Sequence, residues 1–325
     1  MSKPKVLITR VVPQEGIDML REECEVDLWE ENRPIPRDLL LQKVRDIDGL
    51  YSLLTERVDD ELLDAAPKLR VVSNMAVGYD NIDIPACTRR GIPVGHTPGV
   101  LTETTADLAF ALLLAGGRRL GEAERFVRAG KWTTWDPMLF LGQDVYGATL
   151  GIVGMGRIGV AVARRALAFG MRVLHYDTLP HPELEVMSGL RAVSFDTLLA
   201  EADFISIHVP LTETTRKMFS TEQFKRMKPT AVLVNTARGP IIDQAALYQA
   251  LRDGEIGYAA LDVTDPEPIH LDDPLLTLDN CLIVPHIGSA SVATRTRMAT
   301  MAAENLLAGL RGERLPHCVN RDVYG

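Results

Sequence analysis

The sequence predicts an α/β protein of two domains, each a parallel sheet covered by helices, with one domain inserted into the other. Three observations carry that expectation. The chain has 325 residues, 46% hydrophobic and 24% charged, an ordinary globular composition with length for about two domains of ~150 residues. Short apolar runs alternate with amphipathic stretches along most of it, as in βαβ units. A glycine-rich turn follows one of those runs near the middle of the chain, where a second and clearer array begins.

In the first array the apolar runs 6–9, 25–29, 49–54, 70–76 and 93–96 read as strands, and the stretches 15–23, 37–45, 59–66 and 84–90 as helices. A helix over 102–114 follows, with Thr102, Glu103 and Thr105 suited to its first turn. It is apolar around much of its circumference and must be buried, either beneath a domain or at a subunit contact. The tryptophan-rich segment 131–137 reads as an irregular loop. The second array then gives strands at 149–153, 172–176, 204–209, 231–236, 257–263 and 282–285. Among its helices are 157–169, closed by Gly170, and 243–252, closed by Gly254. The final helix, 291–310, is expected to return to the first array, whose sheet otherwise lacks a covering element. The fold class is therefore α/β, two Rossmann-like or flavodoxin-like domains. A doubly wound nucleotide domain, 100–288, sits within a split substrate domain, 1–99 and 289–325.

Composition narrows the partners. A net charge of −9 and the lack of any Lys/Arg run argue against nucleic acid. The longest uncharged apolar stretch, 108–117, is about half of a ~20-residue membrane span, so no membrane partner is expected. The N-terminal stretch 3–10 reads as a buried strand and not as an export signal. The four cysteines, Cys24, Cys87, Cys281 and Cys318, show no paired spacing for a metal or a disulfide framework, and fit a reducing cytoplasm.

Gly154-Met155-Gly156-Arg157-Ile158-Gly159 is a G-x-G-x-x-G directly after one expected strand and opening the next helix. In that context its N–H groups would face a pyrophosphate on the positive end of the helix dipole. Gly154 serves the tight turn, Gly156 the approach of phosphate, and Gly159 the packing of helix on strand. Asp177 falls at the end of the next strand, where a carboxylate accepts from an adenosine ribose. No Arg or Lys follows within 178–187 to hold a 2′-phosphate, so NAD(H) is favoured, with NADP(H) left open.

Three charged residues stand at or just past the ends of later strands, the edge where open α/β sheets bind ligands: Arg238, Glu267 and His286. A guanidinium offers a planar fork for a carboxylate, and an imidazole can exchange a proton near neutral pH. Glu267, between Pro266 and Pro268, could pair with that imidazole. Taken singly, each also fits an ordinary surface or structural residue.

Together, the segments 154–159, 235–239, 261–268 and 285–290, with Ala76-Val77-Gly78-Tyr79-Asp80-Asn81-Ile82-Asp83, resemble in order and spacing the signatures of the D-2-hydroxyacid dehydrogenase family over nearly the whole chain. The stretch 132–159 is most similar to the glyoxylate/hydroxypyruvate reductases of that family. The resemblance implies hydride transfer between a nicotinamide and a small 2-keto or 2-hydroxy acid, with His286 as acid/base, Glu267 as its partner and Arg238 on carboxylate and carbonyl. It implies substrate contacts from the N–H groups of Val77 and Gly78, from Leu53, and from Trp135, which in such reductases reaches a partner subunit. Cofactor contacts are implied for Val209, Pro210, Thr236, Ala237, Asp262 and Gly288, besides the glycine loop and Asp177. A cytoplasmic homodimer is expected, and no metal. One departure concerns cofactor choice: mammalian reductases of this kind prefer NADPH and carry a basic residue where this chain has Asp177-Thr178-Leu179.

Other substrates of the family, such as phosphoglycerate, phosphite or a bulkier keto acid, are the competing reading. Phosphoglycerate and formate are disfavoured by the short segments outside the two arrays. A reading from another class is a nucleotide-sensing, corepressor-like binding protein, which would bind NADH yet turn over slowly.

Overall fold

The computed structural model describes residues 3–181 and 189–325. The chain divides into two compact units, Met1–Leu101 with Ser289–Gly325, and Thr102–Gly288.

The first unit holds a five-stranded parallel sheet in the order β2-β1-β3-β4-β5. Its strands are β1 (Lys5–Ile8), β2 (Glu25–Leu28), β3 (Gly49–Ser52), β4 (Val71–Asn74) and β5 (Val94–Gly95). That order is the flavodoxin-like arrangement. Parallel neighbours cannot be joined by tight turns, so helices carry the crossovers: α1 (Gln14–Glu23), α2 (Arg37–Lys43), α3 (Asp60–Ala65) and α4 (Ile84–Arg89). Alternate strand residues feed two cores. Leu7, Leu50, Val72 and Val94 pack with α2, α3 and α4, while Val6, Ile8, Tyr51 and Val71 pack with α1 and with the long α11 (Val292–Leu310). The α11 backbone is bonded into the sheet: Tyr51 donates to Ala299 O at 3.2 Å and Ser73 to Ala302 O at 2.8 Å.

The second unit is a seven-stranded parallel sheet in the order β12-β11-β10-β9-β6-β7-β8. Its strands are β6 (Thr149–Val153), β7 (Arg172–Tyr176), β8 (Leu190–Ala192), β9 (Phe204–Ile207), β10 (Val232–Asn235), β11 (Tyr258–Leu261) and β12 (Cys281–Ile283). The chain reverses direction of growth between β6 and β9, so the switch point of a doubly wound sheet lies there. One face is covered by α5 (Thr102–Gly117) and α7 (Arg157–Ala168), the other by α8 (Phe195–Glu201), α9 (Thr221–Arg226) and α10 (Gln244–Arg252).

The apolar α5 packs on the sheet of its own unit. Gly116 and Gly117 bring it so close that a Cβ would meet Val232 Cγ1 at 2.7 Å and Phe204 Cε1 at 2.9 Å. By contrast α6 (Leu120–Arg128) buries no residue, and it leads into 129–148, where no helix or strand forms. Among the described residues no helix is long and apolar enough to cross a membrane.

Candidate active site

Because all seven strands of the second unit run the same way, their C-terminal ends share one edge, and most of the candidate residues stand there. After β6, Gly154 adopts φ +97°, and a Cβ on it would lie 2.8 Å from the His208 carbonyl. A side chain on Gly159 would strike Gly154 O at 2.1 Å, so helix α7 rests directly on the turn. Gly156 differs: a Cβ there meets nothing within 4 Å. Gly156 caps α7, whose first N–H groups have no intrahelical acceptor.

Asp177 ends β7 and closes that loop. Its carboxylate accepts from Met155 N at 2.6 Å and from Leu179 N at 3.0 Å, with His181 Nε2 at 3.3 Å. Burial raises its proton affinity, but these N–H donors and the imidazole outweigh it and hold the carboxyl below the ordinary aspartate range. The stretch 178–187, read above for basic residues, lies outside the described residues from position 182 onward.

At the end of β9, His208 N donates to Val153 O at 2.7 Å, across the switch point. Its Nε2 lies 2.8 Å from Ser206 Oγ, and burial pushes the imidazole down to about 4. Val209 and Pro210 follow it. At the end of β10, the Asn235 side chain shapes the turn: Oδ1 accepts from Ala237 N at 2.9 Å, and Nδ2 donates to Arg238 O at 2.9 Å. Arg238 Nη1 in turn bonds Ala237 O at 2.8 Å. The buried Thr236 hydroxyl has no partner among the described residues.

Past β11, Asp262 is 2% exposed and accepts from Ile287 N at 2.6 Å and Gly288 N at 2.8 Å. Burial raises its carboxyl, opposed by those two N–H donors and by the nearby His286. The clamp fixes the turn after β12, where His286 takes φ +51°, a left-handed conformation costly for a side chain of this kind. The His286 Nδ1 is bonded to Glu267 Oε1. That leaves Nε2 as the ring nitrogen open to a ligand. The Glu267 loop is itself anchored, through Asp265 N donating to Gln244 Oε1 at 2.9 Å. Gly239 allows the loops after β10 and β11 to touch, since a Cβ there would overlap Thr264 O at 1.9 Å.

In the first unit, Leu53 N donates to the buried Glu56 carboxylate at 2.8 Å, and Val77 and Gly78 follow β4 as a half-exposed loop. Trp135 is 79% exposed, beside exposed Trp132, Met138 and Leu141. Sequence reasoning did not single out Asn235; its signal is an Asn whose side chain can cap the backbone two residues on.

A dinucleotide fits this edge: a side chain on Gly156 would meet nothing within 4 Å, the first N–H groups of α7 have no intrahelical acceptor, and the buried Thr236 hydroxyl has no partner among the described residues. Fold and edge together define a protein with a dinucleotide-binding α/β unit. Residues 110–288 match the family model for the D-isomer specific 2-hydroxyacid dehydrogenase, NAD binding domain. The chain is 56% identical over 322 residues to a glyoxylate reductase of Korarchaeum cryptofilum, covering 99% of this chain and 97% of that one. It is also similar to the solved TT0316 protein of Thermus thermophilus, at TM-score 0.92 and 48% identity, covering 97% and 99% of the two chains. An NADPH-dependent glyoxylate/hydroxypyruvate reductase of Sinorhizobium meliloti, solved with NADP and malonate, matches at TM-score 0.84 and 32% identity, covering 99% and 98%. The chain belongs to the D-isomer specific 2-hydroxyacid dehydrogenase family.

The half-buried His208 makes stability depend on pH. Its folded pKa lies below the ordinary value of about 6.5, so the unfolded chain binds the extra proton first. Its contribution is present above about pH 6.5 and is lost as pH falls toward 4. His208→Asn should therefore lose less stability than the parent between pH 7 and pH 5 in urea titrations. Parallel losses would show that His208 is not the titrating group.

Proposed function

We propose that the chain reduces a small 2-keto acid, glyoxylate or hydroxypyruvate, to the D-2-hydroxy acid. The observation that carries this is the Glu267–His286 pair at the nucleotide edge, with Glu267 one strand and His286 two strands along from Arg238 on its ordered turn. The names of the relatives favour glyoxylate over the family's other substrates. A bound reduced nicotinamide supplies the hydride. As charge develops on the carbonyl oxygen, His286 Nε2 gives it a proton, and the Arg238 guanidinium faces the same oxygen and the carboxylate. Glu267 on Nδ1 orients the ring and complements its positive form. The N–H groups of Val77 and Gly78 are assigned to the carboxylate, with Leu53 and Trp135 bounding the rest of the substrate.

The glycine loop from Gly154 to Gly159, including Met155, Arg157 and Ile158, is assigned to the pyrophosphate. Val209, Pro210, Thr236, Ala237, Asp262 and Gly288 are assigned to the remainder of the cofactor. Asp262 keeps this role beside its clamp on Ile287 and Gly288. NADH is favoured because the Asp177 carboxylate stays ionised and would repel a 2′-phosphate. The working form is a cytoplasmic homodimer. The apolar side chains exposed between Leu120 and Tyr146 support it, being more than a lone surface needs.

His286→Ala should lower turnover of glyoxylate about 10²- to 10⁴-fold, the usual contribution of a placed acid; near-normal rates would sink the assignment. Asp177→Ala should raise KM for NADH far more than for NADPH, and equal effects would remove Asp177 from ribose recognition. Sedimentation should give twice the chain mass, and Trp135→Ala should raise KM for the keto acid without changing that mass. A monomeric parent would exclude the shared site.

A further inference from the structure

The loop after β4 is held in an unusual way. Its three successive carbonyls are each drawn toward the protein: Ala76 O accepts from Thr97 N at 2.8 Å, Val77 O lies 3.1 Å from His96 Nδ1, and Gly78 O accepts from Asn74 Nδ2 at 3.1 Å. In a trans peptide the C=O and the following N–H point in opposite directions. Pinning carbonyls 76, 77 and 78 therefore turns the N–H groups of Val77, Gly78 and Tyr79 the other way. None of those three N–H groups donates to any acceptor among the described residues, and all three residues are at least partly exposed. Successive outward N–H groups of this kind form an anion-binding concavity.

We infer that His96 is a positioning residue for the substrate's carboxylate: by donating from Nδ1 to Val77 O it aims the Gly78 N–H outward and completes a three-donor nest with Val77 and Tyr79. This rests on the keto-acid reading above and adds to it Tyr79 N–H as a third donor and His96 as the side chain that sets the middle one. A carbonyl oxygen can only accept, so the proton on this ring is fixed at Nδ1.

The anchoring of His96 suits the task. Its own N–H donates to His317 O at 3.1 Å, and its carbonyl accepts from the fully buried Asn305 Nδ2 at 3.0 Å. Gly95, just before it, is pressed so closely on Asn305 that a Cβ would stand 2.7 Å from the Asn305 Cβ. The ring packs edge-on against Tyr79, with centroids 5.8 Å apart. Its backbone is thus fixed by α11 and the C-terminal segment, and its side chain transmits that position to the loop. Asn74, which is 0% exposed and accepts from Ser52 Oγ at 3.2 Å, does the same for the Gly78 carbonyl.

The test uses oxamate, a keto-acid analogue with no reducible ketone, titrated calorimetrically into the NADH-loaded protein, with glyoxylate kinetics alongside. His96→Ala should weaken oxamate binding and raise KM for glyoxylate about tenfold, with kcat and the KM for NADH changed by about twofold at most. His96→Asn, whose Nδ2 can take the place of Nδ1, should restore most of the binding, which a merely misfolded loop would not permit. A parent that binds oxamate while His96→Ala binds it within about twofold overturns the positioning role and leaves the keto-acid reading standing. So does a failure of His96→Asn to recover binding. A parent that neither binds oxamate nor reduces glyoxylate overturns both.

Discussion

Parallel pairing is the constraint from which the rest of this structure follows. A parallel neighbour has to be reached by a crossover, so every strand is followed by a loop at the same edge and then by a segment that returns across a face. In the second unit this delivers the turns after β6, β7, β9, β10, β11 and β12 to one edge. The residues gathered there are 154–159, 177, 208–210, 235–238, 262–267 and 286–288, drawn from half the chain yet side by side. Ordering them is then a local matter, and nearly all of it is done by side chains bonding to neighbouring backbone. Asp177 ties the glycine turn, Asn235 the arginine turn and Asp262 the histidine turn.

The three ties differ in electrostatic character. Asp177 has donors enough to remain readily ionised despite its partial burial, whereas for Asp262 burial prevails over its two N–H donors. A carboxylate that is costly to bury is retained beneath His286, and the return for that cost is a histidine in a backbone conformation that few side chains adopt. The ring is aimed from below by Asp262 through the backbone and from the side by Glu267 through Nδ1. Its free nitrogen is set twice over.

Much of this was legible in the sequence. The glycine loop, Asp177, Arg238, Glu267 and His286 were singled out in the sequence because each stands at or just past a strand end and because, as an ordered set, they resemble one family's motifs. Most strands of both arrays are legible because burial on both faces makes them continuous apolar runs, whereas β2 shows instead an alternation with exposed Glu25 and Asp27. Less visible were α6, which buries nothing and so shows no apolar stripe, and β8, a three-residue edge strand with two exposed positions. The helix α9 was not read from the sequence, although Ser220 and Gln223 form a capping box at its start. The surroundings of α5 were not decidable, since a helix apolar on many sides looks alike beneath a sheet or between subunits; Gly116 and Gly117 settle its place against the sheet only once Val232 and Phe204 are seen beside them. Asn74 and His96 were illegible for another reason. Each acts on the loop through a main-chain carbonyl, which leaves no trace in residue identity.

The bonding of α11 into the first sheet has a consequence for how the chain is made. Tyr51, Ser73 and the face formed by Val6, Ile8 and Val71 leave the ribosome before the inserted unit, and the helix that covers them leaves only after it. The inserted unit, Thr102–Gly288, is contiguous and has its own two cores, so it can condense while the earlier sheet still waits half-covered. The sheet begun first can therefore be completed only after the inserted unit has been made. Until α11 follows, that apolar face lacks the helix that supplies most of its cover.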